Sequence, residues 1–104
     1  MDFEIPAQKL GLEMDEYLEL IELFLETGVS DLKGLVDAAA NNDAHLAAEH
    51  SHSLKGSSGN LGLTDIYKFS REIEDRARNN NLEGITEAIN KIDQIFKKIH
   101  AAVK

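Results

Sequence analysis

The chain has 104 residues, a formal charge of -8, one Pro and no Cys. That length suits one domain, residues 1–104, with a core that needs no staples, and the absence of Cys excludes disulfides, thiolate metal sites and a Cys nucleophile. An excess of 19 Asp and Glu over 11 Lys and Arg argues against nucleic acid or anionic lipid as partner, and no apolar run is long enough to cross a membrane.

A short segment from Ile5 to Leu12 reads as a helical turn that closes one end of the fold. Tyr17, Ile21, Phe24, Leu25, Leu32, Leu35, Val36 and Ala39 then fall on one stripe at steps of three and four. The spacing predicts a long helix from Asp15 to Asn41 that carries its phase through Gly28. Glu16, Glu19, Glu22 and Glu26 form its solvated flank. The turn Asn41-Asn42-Asp43 ends that helix and offers an N-cap for a second, Ala44 to Asn60. Gly62 supplies the next stop and Thr64 a cap for the third helix. Ile66, Phe69, Ser70, Ile73 and Ala77 are its inner face. Asn79-Asn80-Asn81 is the last break. The final helix buries Ile85, Ile89, Ile92, Phe96, Ile99 and Val103. Four amphipathic helices with short connections predict an all-α, antiparallel up-and-down four-helix bundle preceded by a short N-terminal helical segment.

The second helix departs from this pattern. Residues 44–62 hold three of the four His and three of the seven Gly. Gly inside a helix costs about 1 kcal/mol relative to Ala, so the missing side chains answer a need. At about 100° per residue, Leu46, Ala47, His50, Leu54, Ser57 and Leu61 fall on a core face. His45, Ala48, Glu49, His52, Lys55, Gly56 and Gly59 fall opposite. His52 is therefore expected in solvent, among small neighbours (Ala48, Gly56, Gly59) and one turn before Lys55. An exposed neutral imidazole is a nucleophile toward phosphorus. Lys55 can meet the negative charge a phosphoryl group brings, and the small residues let another protein approach.

These residues carry a resemblance. The run His52-Ser53-Leu54-Lys55-Gly56-Ser57-Ser58-Gly59-Asn60-Leu61-Gly62 resembles the signature of the histidine-containing phosphotransfer (HPt) domain family. That signature is a His, any residue, an aliphatic, Lys-Gly, two Ser or Ala, two further residues, an aliphatic and Gly. Every position is filled, and the four-helix layout extends the likeness over nearly the whole chain. The resemblance implies a phosphorelay intermediate of two-component signalling. It implies phosphorylation of His52 on Nε2, stabilisation of the phosphate by Lys55, and access through Gly56. It implies a response regulator receiver domain and a histidine kinase as partners, with Mg²⁺ and the acceptor carboxylate supplied by the receiver. The protein itself would be a phosphoryl carrier without cofactor, not an enzyme. The competing reading is a non-phosphorylated helical adaptor of the same fold, which would have no need of His52 with Lys55.

Other residues are weighed against this site. His50 lies about 160° round the helix from His52 and is expected buried or half-buried and hydrogen-bonded. His45 is seven residues from His52, roughly 10 Å along the axis, so the His cluster is a poor metal site. His100 reads as surface. Ser57 is expected to bond a backbone carbonyl. No acid is seen to orient His52 beyond the exposed Glu49 one turn back, which speaks against a His-based hydrolase. On the long helix, Leu20, Leu23, Thr27 and Gly34 form a flank free of charge. That flank either docks a receiver domain through apolar contact or packs on a neighbouring helix. The N-terminal MDFEIPAQKL has no signal-peptide pattern. A cytoplasmic monomer that binds neither nucleic acid nor membrane is expected.

Overall fold

The computed structural model describes residues 2–103, and among these all regular structure is helical. The helices are α1 (Glu4–Lys9), α2 (Met14–Ala40), α3 (Ala44–Asn60), α4 (Thr64–Arg78) and α5 (Ile85–Ala102). α3 packs between α2 and α4, α5 closes the ring against both, and α1 lies on α2. The result is an elongated four-helix bundle of 41 × 23 × 17 Å with α1 at one end.

Local chemistry sets the helix ends. The Glu16 side chain accepts the Glu13 backbone N–H at 3.0 Å and fixes the start of α2. Asp43 caps α3 by accepting Leu46 N–H at 3.1 Å. Gly11, Asn42, Gly62, Asn80 and Gly84 take left-handed backbone conformations at the four interhelical turns. Thr64 does not cap α4. The capping position is Leu63, which makes no side-chain cap bond, and Thr64 is the first helical residue.

Tyr17, Ile21, Leu35, Leu54, Ile66, Ile73, Ile85, Ile92 and Ile99 are fully buried. Gly28 is required by packing and not by a turn. A Cβ there would lie 2.9 Å from Cζ of Phe96, whose ring stands edge-on to Phe24 with centroids 5.5 Å apart. Tyr17 is equally specific. Its hydroxyl donates to the Leu61 carbonyl at the end of α3, satisfying a buried acceptor that the helix cannot pair itself.

Two core readings need correction. Val36 is exposed, because beyond Leu32 the buried stripe of α2 runs through Leu35 and Ala38. On α3 the buried residues are Ala47, Ala48, Ser51, Leu54 and Ser58, so Ser57 is only half-buried, while His50 is half-buried as expected. The inner face is small rather than greasy. Ser51 and Ser58 donate to the carbonyls of Ala47 and Leu54, each at 2.6 Å, so no buried hydroxyl is left unpaired there.

Candidate functional site

α3 presents His52 on its flank toward α4, with 64% of the side chain exposed. Its Nδ1 lies 2.9 Å from Oε2 of Glu74, a residue of α4 whose side chain is only 4% exposed. The same carboxylate takes Lys55 Nζ at 2.7 Å on Oε1 and Arg78 Nε at 2.9 Å on Oε2. One buried acid thus gathers the histidine and two cations.

Burial pushes the Glu74 carboxyl up. Hydrogen bonds from Lys55, Arg78 and His52, with the charge of Lys55, reverse that and hold it at about 2. Ionised Glu74 can only accept, so Nδ1 of His52 must carry the proton. In the neutral ring the lone pair is then on Nε2. Lys55 and Arg78 carry two positive charges against one carboxylate, so the surroundings of the imidazole have a net charge of +1. A nucleophilic nitrogen beside excess cation suits an incoming phosphoryl group.

The neighbours expected from sequence sort differently. Lys55 joins His52 through Glu74. Gly56 is exposed, and a Cβ there would meet nothing within 4 Å. Gly59 does not face open space, because a Cβ would lie 3.1 Å from Cδ2 of Tyr67 on α4. Ala48 is buried and does not clear the surface round His52, since α3 turns this flank into α4. Leu20 and Leu23 are exposed. Glu49 is 2.8 Å from His45 and does not serve His52.

His50 is half-buried with Nδ1 2.9 Å from Asp31 Oδ1, and Ser53 donates to Asp31 Oδ2 at 2.7 Å. A Cβ on Gly34 would strike this ring, so Gly34 makes room for the α2–α3 tie and does not belong to an open flank. Among the described residues no group of three or more His, Cys, Asp or Glu could hold a metal ion. No described helix is long and apolar enough to cross a membrane.

Glu74 is the residue of this candidate site that sequence reasoning missed. It lies 22 residues from His52 and belongs to another helix. Its available signal is position: it sits one step off the inner stripe of α4, between Ile73 and Ala77, four residues before Arg78.

The Hpt domain family profile matches residues 19–102. The chain belongs to the Hpt domain family. Two solved structures are similar. The histidine-containing phosphotransfer protein B (HptB) of Pseudomonas aeruginosa is 25% identical, with a TM-score of 0.84 over 99% of this chain and 90% of that one. The Hpt domain of a sensor hybrid histidine kinase from Shewanella is 18% identical, with a TM-score of 0.81 over 99% and 89%, and shows the shared fold. No curated protein sequence matches the chain. Hpt membership makes this a phosphotransfer protein of two-component signalling, a pathway class built from histidine kinases and response regulators.

Proposed function

We propose that His52 is the phosphoryl carrier and that it exchanges the group with a receiver-domain aspartate or a histidine kinase. The observation that supports this best is the exposed imidazole whose Nδ1–H is bound by the ionised, buried Glu74. The lone pair on Nε2 attacks the phosphorus of the donor's aspartyl phosphate. The P–O bond to that aspartate breaks, its electron pair stays on the carboxylate, and a P–Nε2 bond forms. Nδ1 keeps its proton, so the phosphorylated ring is a cation opposite Glu74. Lys55 and Arg78, both held by that carboxylate, supply positive charge beside the phosphorylated ring. In the forward step the acceptor carboxylate attacks phosphorus, and the P–N electron pair returns to Nε2.

Little covalent chemistry is asked of the protein, because phosphoryl transfer is mostly positioning and charge stabilisation. The chain acts as a carrier and relies on the partner for Mg²⁺ and the second carboxylate. Gly56 supports access from outside, since nothing within the fold fills the space a side chain there would occupy.

The test is transfer from a radiolabelled, phosphorylated receiver domain and, separately, from phosphoramidate, to the wild type and His52→Gln. Acid-labile, base-stable label on the wild type alone is expected. Label persisting in His52→Gln places the phosphohistidine elsewhere. A folded wild type that takes label from no donor is an adaptor.

A further inference from the structure

We infer that Ser70 is a positioning residue for the phosphohistidine: its hydroxyl takes over Oε1 of Glu74 when Lys55 turns to the phosphoryl group, so that the carboxylate keeps its hold on Nδ1 of His52. The inference deepens the carrier reading and rests on it.

Ser70 lies in the interior of α4 and is fully buried. Thr27, Ser51, Ser57 and Ser58 all turn their hydroxyls onto carbonyls three and four residues back. That is the usual outlet for a hydroxyl on a helix. Ser70 does not use it, and among the described residues its Oγ has no hydrogen-bond partner. A buried hydroxyl without a partner is costly, where an Ala of nearly the same shape is not. Oε1 of Glu74 is in a related condition. It has the charge of Lys55 at 2.7 Å but no well-directed hydrogen bond.

Helix geometry makes the two atoms neighbours. Ser70 precedes Glu74 by four residues on the same face of α4, and a long helical side chain leans back over the turn before it. α3 runs antiparallel to α4, since His52 meets Glu74 and Gly59 meets Tyr67. Lys55 is farther along α3 than His52 and so reaches the carboxylate from the Ser70 side. Oε1 is thus the oxygen toward Ser70, and Oε2 the one toward His52 and Arg78.

Lys55 serves two anions. In the free protein it neutralises Oε1. In the carrier it meets a phosphoryl group on Nε2, across the ring from the Nδ1 that Glu74 holds. Movement toward that group takes Nζ away from Oε1. A buried, ionised oxygen stripped of its partner is costly. A hydroxyl one turn away can rotate and donate to it with no backbone movement. Idle in the free protein, Ser70 then lowers the cost of phosphorylating His52.

The test is a cycle of Ser70→Ala and Lys55→Met, the latter keeping the side-chain stem and removing its charge. Thermal unfolding of the unphosphorylated proteins is the first readout. Ser70→Ala alone is expected to leave Tm unchanged or raise it, because the hydroxyl has no bond to lose. In Lys55→Met the hydroxyl is already on Oε1, so adding Ser70→Ala is expected to lower Tm by roughly 5–10 °C. The second readout is the equilibrium share of label between each protein and a receiver domain that phosphorylates the wild type. Ser70→Ala is expected to shift it about tenfold toward the receiver, and to leave it unshifted in the Lys55→Met background, where the hydroxyl holds Oε1 with or without phosphate. An equal drop in Tm in both backgrounds, or an unshifted equilibrium for Ser70→Ala alone, overturns the role of Ser70 and leaves the carrier reading standing. A wild type that neither the receiver nor phosphoramidate labels at His52 overturns the carrier reading, and the role of Ser70 falls with it.

Discussion

At the scale of the residue, the site is a competition for one carboxylate. Glu74 binds His52, Lys55 and Arg78 together, and its charge decides where the imidazole proton sits. Gln at this position could still accept from Nδ1 but would bring no charge. Lys55 and Arg78 both reach solvent and can rehydrate, so Glu74→Gln should cost about 1–2 kcal/mol, less than stripping one partner from a fully buried pair. The functional effect separates from the structural one in a pH profile. On the proposed mechanism Glu74 stabilises the cationic phosphoimidazole, so in Glu74→Gln the rise in phosphohistidine hydrolysis should move to lower pH. Superimposable hydrolysis profiles would mean that Glu74 only holds the helices together. His52, Lys55 and Gly56 were legible in the sequence because they share five consecutive residues on one helix. Glu74 was not, because its role arises only where α4 packs against α3.

At the scale of the element, two glycines in helix interiors answer different needs. Ala is the better helix former by about 1 kcal/mol at either position. At Gly28 a methyl would press on Phe96, a buried ring held edge-on by Phe24. Overpacking of that kind costs about 1–3 kcal/mol and outweighs the propensity gain. At Gly56 a methyl meets nothing within 4 Å. Gly28→Ala should therefore lower Tm, while Gly56→Ala should raise it by roughly 5 °C and slow transfer from a receiver. Calorimetry on the two variants checks this, and a drop in Tm for Gly56→Ala would mean the glycine serves the fold. Helix positions and lengths followed from apolar spacing, and Asp43 and Gly62 marked boundaries as expected. The inner face of α3 did not follow. Its interior is Ala47, Ala48, Ser51 and Ser58, residues that give a hydrophobicity pattern little to register. The larger Leu46 and the ambivalent His50 drew the inferred face toward α2, although α3 packs against α4 as well.

At the scale of the whole molecule, charge is unevenly shared. Among the described residues Glu19, Glu22 and Glu26 of α2 form no ion pair, and the exposed i,i+4 pairs made by Lys and Arg lie on α4 and α5. Those four pairs contribute a few tenths of a kcal/mol each and are screened by salt. The buried Glu74 cluster dominates the acid response. Its carboxyl is held at about 2 in the fold against an ordinary value of 4.5. A depressed acid stabilises the folded state fully above its unfolded value and loses that contribution as pH falls toward the folded one. The window is therefore pH 4.5 down to 2, and the contribution at neutral pH is roughly 3 kcal/mol. Part of this returns in Glu74→Gln, whose amide still accepts from His52 and whose cations rehydrate. The stability gap between wild type and Glu74→Gln should thus be constant from pH 7 to about 5 and close as pH approaches 2. Urea unfolding of both proteins at pH 7, 4 and 2.5 measures the gap directly. A gap that persists undiminished at pH 2.5 would show that shape, and not the charge of Glu74, joins α3 to α4.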